Sequence, residues 1–101
     1  MGTDVFSTGL SSIQSARVRI SNSAHNLANM LTRGHHSVRT RQFSTLDGGV
    51  RSITDVDRKA GEVDLPREII EQQLAALQAK GSVQVVKTAL DMKKSLIDIF
   101  A

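Results

Sequence analysis

Apolar side chains recur at alternating spacings of four and three residues near both ends of the chain. The first column runs from Phe6 to Leu31, and the second runs from Ile69 to Phe100. This spacing is typical of helices that bury one face against another helix. The chain is therefore predicted to be mainly α, with N- and C-terminal helices over residues 4–32 and 64–100 that pair in a coiled-coil-like hairpin.

Every position of the N-terminal column is apolar except Arg17. A long arginine stem can cover apolar surface while its head reaches water, or a polar residue can fix the register of a helix pair, and both interpretations stay open. The segment is rich in serine and asparagine, which are indifferent helix formers, so the isolated helix is expected to be frayed. The column ends near Gly34, which can adopt the left-handed conformation that terminates helices.

The C-terminal helix has a distinct predicted start. Asp64 supplies an acceptor for free amides, Pro66 lies in the first turn where no donor is lost, and Glu68 places a carboxylate near the positive end of the helix dipole. Apolar positions outside the main column widen the stripe beyond what one partner needs, which favours a many-helix bundle. Gly81 indicates either the close approach of a neighbouring backbone or a weak point in the helix.

A set of apolar positions in the two columns is expected to carry helix packing or assembly. The set is Leu10, Ile13, Ile20, Leu27, Ile69, Val83, Val86, Leu90 and Ile97. Pairing within one chain and pairing between chains would satisfy the same stripe, so the pattern leaves both open.

The middle of the chain predicts a short β-hairpin or loop over residues 36–56, followed by a solvated linker over residues 57–63. The segment from Ser37 to Phe43 is extended in type, Asp47-Gly48-Gly49 is a turn sequence, and β-branched residues follow as far as Val56. With 101 residues in all, the chain is interpreted as a single domain.

Charge and composition narrow the classes of function. The net charge of +3 comes entirely from residues 1–50, because residues 51–101 carry equal numbers of acidic and basic side chains. The basic segment from Arg33 to Arg51 could hold phosphates, but it lacks the aromatic residues that stack bases, so nucleic acid is not expected as a partner. With no Cys there are no disulfides. No stretch is apolar enough to span a bilayer, and no cleaved signal peptide is expected.

Candidate catalytic and metal-binding chemistry is sparse. His25, His35 and His36 have no Asp, Glu or Cys close in sequence to complete a metal site. The chain carries no phosphate loop, nucleophile elbow or paired-carboxylate motif. We therefore expect no enzyme activity, no small-molecule substrate, and no metal or other cofactor.

Several segments resemble the bacterial flagellar rod and hook family. Residues 24–35 are similar to its Ala-x-Asn-(Ile/Leu)-Ala-Asn-x-x-Thr-Pro-Gly-(Tyr/Phe) signature, and they match it at Ala24, Asn26, Leu27, Ala28, Asn29, Thr32 and Gly34. Arg33 and His35 stand where that signature has Pro and an aromatic residue. The segment from Val63 to Glu68 looks like the family's Val-Asp-Leu-x-x-Glu helix start, whereas its later Tyr-Gln-Ala-Asn block reads Ala-Lys-Gly-Ser over residues 79–82.

The resemblance implies a short, proximal-rod-like member that lacks the family's large middle domain. Such a rod protein is a structural subunit that self-assembles through paired terminal helices in the periplasmic axial structure of the basal body. It is exported without a cleaved signal, and its implied partners are copies of itself, other rod and hook axial proteins, and the flagellar type III export apparatus. The alternatives are a soluble helical-hairpin binding module or regulator that uses the basic middle segment, and a stable antiparallel dimer.

Overall fold

The computed structural model describes the backbone of residues 2–100 and the side chains of residues 5–99. Helix α1 spans Gly2–Ala28, strands β1 and β2 span Val38–Ser44 and Val50–Val56, and helix α2 spans Leu65–Phe100. The helices pack against each other, and the strands form an antiparallel two-stranded hairpin. This arrangement confirms the predicted fold class. The molecule is elongated, measuring 63 × 24 × 14 Å.

Helix α2 begins where its capping chemistry predicts. The Asp64 carboxylate accepts a hydrogen bond from the amide of Arg67 at 3.2 Å, and the Asp64 carbonyl accepts one from the amide of Glu68 at 3.0 Å. The Asp64 side chain therefore satisfies one donor that a helix start leaves free, while the Asp64 carbonyl accepts the first hydrogen bond of the helix. The side chain of Phe100, the last residue of the predicted apolar column, lies outside the described side chains.

Helix α1 ends at Ala28, earlier than the predicted residue 32. Its last turn tightens, since the amides of Asn29 and Met30 donate to the carbonyls three residues before them at 3.2 Å each. The carbonyl of His25 accepts both the backbone amide of Asn29 at 3.1 Å and the side-chain amide of Asn29 at 2.9 Å, so Asn29 bonds the end of the helix twice. Leu31, at the end of the predicted column, consequently lies in a turn and is almost fully exposed.

The hairpin turn has the local chemistry that the sequence indicates. Gly48 has a φ of +88°, and the amide of Thr45 donates to the carbonyl of Gly49 at 2.9 Å, so the turn closes with a glycine in the left-handed region. The Asp47 carboxylate accepts hydrogen bonds from the Thr45 hydroxyl and the Gly49 amide, and these bonds lower the pKa of Asp47. The exposed tip of the turn carries the apolar side chain of Leu46.

The hairpin lies along α1 and is held there by polar contacts. The side-chain amide of Asn22 donates to the hydroxyls of Thr40 and Thr54, at 2.7 and 2.9 Å, so one helical residue contacts both strands. Further towards the start of α1, the amide of Val50 donates to the hydroxyl of Ser11 at 3.0 Å. These contacts fix which side of α1 the hairpin covers.

Candidate assembly interface

The two helices meet through small and polar side chains rather than through the predicted apolar columns. Among the side chains of residues 5–99, the buried apolar ones are Ala16 and Ala75, each with no exposed area. Other buried or half-buried residues continue the same helical spacing. We call this set the inner face, and it comprises Gly9, Ser12, Ala16, Arg19, Ser23 and Asn26 on α1 with Glu68, Glu71, Ala75, Gln78, Ser82 and Val86 on α2.

Hydrogen bonds cross the inner face along its length. Arg19 Nε lies 2.5 Å from the Glu71 carboxylate, and Arg19 Nη1 donates to the Gln78 side chain at 2.8 Å. Nearer the start of α1, the hydroxyls of Ser82 and Ser12 are 2.7 Å apart. Each such bond contributes only about 1 kcal/mol to folding. The helix pair therefore depends on many modest contacts and on very little apolar burial.

The predicted apolar columns lie one residue further along each helix, which rotates them by about 100° from the inner face. These columns therefore do not form the contact between the two helices of one chain, which is one of the two pairings that the sequence pattern leaves open. Val86 belongs to the inner face, and Ile13 and Leu27 are half-buried. The others are 37–58% exposed, and they are Leu10, Ile20, Ile69, Val83, Leu90 and Ile97. Their part in packing between chains stays a prediction.

The two exposed columns lie on the same side of the molecule. The two helices run antiparallel. A residue one position after an inner-face residue of α1 therefore lies on the same side of the pair as a residue one position after an inner-face residue of α2. The hairpin occupies the opposite side, because it contacts residues that precede the contact positions, such as Ser11 and Asn22. We call the uncovered side the apolar face, and it comprises Leu10, Ile13, Ile20, Leu27, Ile69, Val83 and Leu90.

A polar junction joins the end of α1 to the starts of β1 and α2. Asn26 is fully buried, and its side-chain amide donates to the Val38 carbonyl at 2.8 Å and to the Glu68 carboxylate at 2.9 Å. Its side-chain oxygen accepts a bond from the Val38 amide at 2.8 Å. Asn26 thus pairs with a strand as another strand would, while also contacting the neighbouring helix.

Glu68 completes the junction. This carboxylate is 1% exposed, and Arg39 Nη1 lies 2.5 Å from its Oε1 atom. The hydroxyl of Ser23 donates to the backbone carbonyl of Glu68 at 3.0 Å. Sequence reasoning predicts a role for Glu68 only at the helix dipole, and it misses the contact with Asn26 because the two residues lie far apart along the chain. A signal was present, since Asn is a poor choice inside a helix unless its side chain has a partner.

The rest of the signature segment forms the turn after α1. The hydroxyl of Thr32 donates to the side-chain oxygen Oδ1 of Asn29 at 3.2 Å, and the amide of His35 donates to the Thr32 backbone carbonyl at 3.3 Å. Gly34 has a φ of +79° at the third position of this turn, as a type II turn requires. Gly34 therefore closes a separate turn and does not cap α1. Ala24 and Ala28 are exposed.

Replacing Arg33 with Pro should stabilise the protein by about 0.4–1 kcal/mol. Arg33 occupies the second position of the turn, where Pro is favoured, and its amide makes no hydrogen bond within the described part of the chain. Urea denaturation followed by circular dichroism measures the gain, and Arg33→Ala serves as the control that leaves φ unrestricted. A loss of stability in Arg33→Pro alone would contradict the assignment of the turn.

The histidines lie around the junction without forming a metal site. The rings of His25 and His35 have centroids 5.4 Å apart, and His36 Nδ1 lies 2.8 Å from the carbonyl of Asp57. Among the side chains of residues 5–99 there is no group of three or more His, Cys, Asp or Glu placed to hold a metal ion.

Two arginines of the basic middle segment form ion pairs with acidic residues of the same chain. Arg39 pairs with Glu68, and Arg41 pairs with Asp55 at 3.2 Å.

Over the described residues 2–100, neither helix combines the length and apolar character needed to cross a membrane. No protein-family model matches the chain, and no curated protein matches it significantly.

Proposed function

We propose that this chain is a structural subunit of the bacterial flagellar basal-body rod, which assembles with copies of itself and other axial proteins after type III export. The observation that carries the proposal is the apolar face. Five of its seven aliphatic side chains are exposed and two, Ile13 and Leu27, are half-buried. Among the side chains of residues 5–99, the buried apolar ones are Ala16 and Ala75. Contiguous exposed apolar surface of this kind marks a site of protein association.

The placement of the two motif segments also supports the proposal. Asn26 lies in one segment that resembles the rod and hook family, and Glu68 lies in another. They make a buried hydrogen bond of 2.9 Å in the folded chain. A shared contact gives a physical reason for the two segments to occur together in one protein.

The proposal predicts that Ile20→Asp blocks incorporation into the rod. Ile20 is 37% exposed on the apolar face, so a charge there leaves the inner face intact but cannot be buried against a neighbouring subunit. Tagged variants are expressed in the source bacterium, and hook–basal bodies are purified and analysed by mass spectrometry. We expect the wild-type peptide to be present and the Ile20→Asp peptide to be reduced at least about tenfold, which corresponds to about 1.4 kcal/mol.

The adjacent exposed residue provides the control. Ser21→Asp introduces the same charge one position along α1, off the apolar face, and should be incorporated normally. Circular dichroism of both purified variants checks that helix content is kept. Absence of the wild-type chain from hook–basal bodies would overturn the rod proposal and favour a soluble helical module.

A further inference from the structure

Helix α2 extends beyond its partner helix. Gly9 faces Ser82 and Val86, and Ser23 contacts Glu68, so the antiparallel register places Gly2 opposite about residue 90. We call residues 91–99 the α2 tail. All of them are exposed, and Met92, Leu96, Ile97 and Ile99 are each more than half-exposed. An amphipathic tail with this much uncovered apolar surface needs a partner.

The charged residues beside the tail follow an ordered pattern. Lys80, Lys87, Asp91 and Asp98 lie within about 40° of one another around the helix axis, so they form one edge of the apolar face. The two cations precede the two anions along this edge. An antiparallel copy of α2, centred near residue 89, would therefore place Lys87 beside Asp91 of the second copy and Lys80 beside Asp98 of the second copy. A parallel copy would instead place like charges together.

The apolar residues give the same register independently. In an antiparallel alignment centred near residue 90, Leu90 meets Leu90 of the second copy and Val83 meets Ile97 of the second copy. In the register centred near residue 89, Lys93 meets Val85 and Lys94 meets Gln84 of the second copy, so neither lysine faces a like charge. The charge pattern and the apolar pattern agree to within one residue, or about 1.5 Å along the helix.

We propose that two copies of this chain pair antiparallel through their α2 tails. Each tail lies in the groove between α1 and α2 of the other copy, at the level of Phe6, Leu10, Val83 and Leu90. These four side chains are 36–54% exposed in the single chain. The contact is two-fold symmetric and closed, and it covers part of the apolar face. It is therefore a state of the free subunit that must open before that face can contact a neighbouring rod subunit.

Sedimentation equilibrium of the full chain tests the pairing, and a concentration-dependent dimer is expected. Lys87→Asp and Asp91→Lys should each weaken the dimer by about tenfold, because symmetry turns one substitution into two like-charge contacts. The double variant Lys87→Asp/Asp91→Lys restores opposite charges, so its dissociation constant should return to within about threefold of the wild-type value. Lys59→Asp, which makes the same charge change in the exposed linker, should leave the dimer unchanged.

A mixture of the two single variants supplies the sharpest test. Lys87→Asp carries acids at both positions and Asp91→Lys carries bases at both, so the mixture should form heterodimers in preference to either homodimer. A chain that stays monomeric at all concentrations would overturn the proposal. A dimer that both single variants leave unchanged, or a mixture without heterodimers, would also overturn it, since pairing would then involve another surface. Circular dichroism separates these outcomes from unfolding.

Discussion

Asn26→Ala should lower the free energy of unfolding by about 3 kcal/mol or more. The substitution leaves the partly buried amide and carbonyl of Val38 without their partner, and it removes one of the two side chains that hydrogen-bond the buried Glu68 carboxylate. Each buried polar group left unsatisfied costs about 1–3 kcal/mol. A chain with so little buried apolar surface has little stability in reserve, so most of the variant should be unfolded.

Urea denaturation monitored by circular dichroism measures this loss, and Asn29→Ala is the matched control. Asn29 is the same residue type three positions further along, but its side chain bonds only exposed groups at the helix end. Its loss should cost about 0.5–1 kcal/mol, as for other helix-terminal hydrogen bonds. Equal effects at the two positions would contradict the junction as the principal polar anchor of the fold.

Asn26→Asp separates the loss of a donor from the loss of side-chain volume. It keeps the shape of Asn26 but replaces the side-chain amide, which donates to the Val38 carbonyl and to Glu68, with an acceptor. The new carboxylate would also lie beside the buried carboxylate of Glu68. We therefore expect Asn26→Asp to be at least as unstable as Asn26→Ala at neutral pH, whereas a requirement for volume alone would leave it near wild-type stability.

The parts of the fold that depend on local chemistry could be predicted from the sequence. Asp64 and Pro66 mark the start of α2 because capping involves residues only a few positions apart. Asp47 and Gly48 mark the hairpin turn for the same reason. The predicted end of α1, residue 32, lies four residues beyond the observed end at Ala28, because the apolar spacing continues to Leu31 while hydrogen bonds from Asn29 already end the helix.

The face through which the helices meet could not be predicted from apolar spacing. That spacing identifies where large apolar side chains lie, but it does not identify which partner covers them. Within one chain, the helix that packs against α1 is α2. Helix α2 contacts the face of α1 that carries small and polar residues, including Gly9, Ala16 and Ser23. These small residues recur at heptad-like spacing, which was the available signal for close helix contact. The polar junction was missed because its members come from three distant segments.

Gly9→Val should destabilise the helix pair by about 2–3 kcal/mol. A Cβ atom at Gly9 would lie 2.5 Å from Val86 Cγ2, which is closer than side chains approach in folded proteins. Val86 is β-branched and has few alternative rotamers, so it cannot move aside cheaply. Relief would require the helices to separate, and separation would lengthen the hydrogen bond between Ser12 and Ser82. Thermal and urea unfolding measure the loss.

Two further variants identify steric contact as the cause. Gly81→Val makes the same substitution in α2, where a Cβ meets no atom within 4 Å in the described chain, so it should leave stability unchanged or raise it by a few tenths of a kcal/mol. The exchange Gly9→Val/Val86→Gly keeps the composition of the contact and moves the bulk to the other helix, so it should recover most of the lost stability. If Gly9→Val were harmless, or if the exchange failed to rescue it, the close approach of the helices at Gly9 would be refuted.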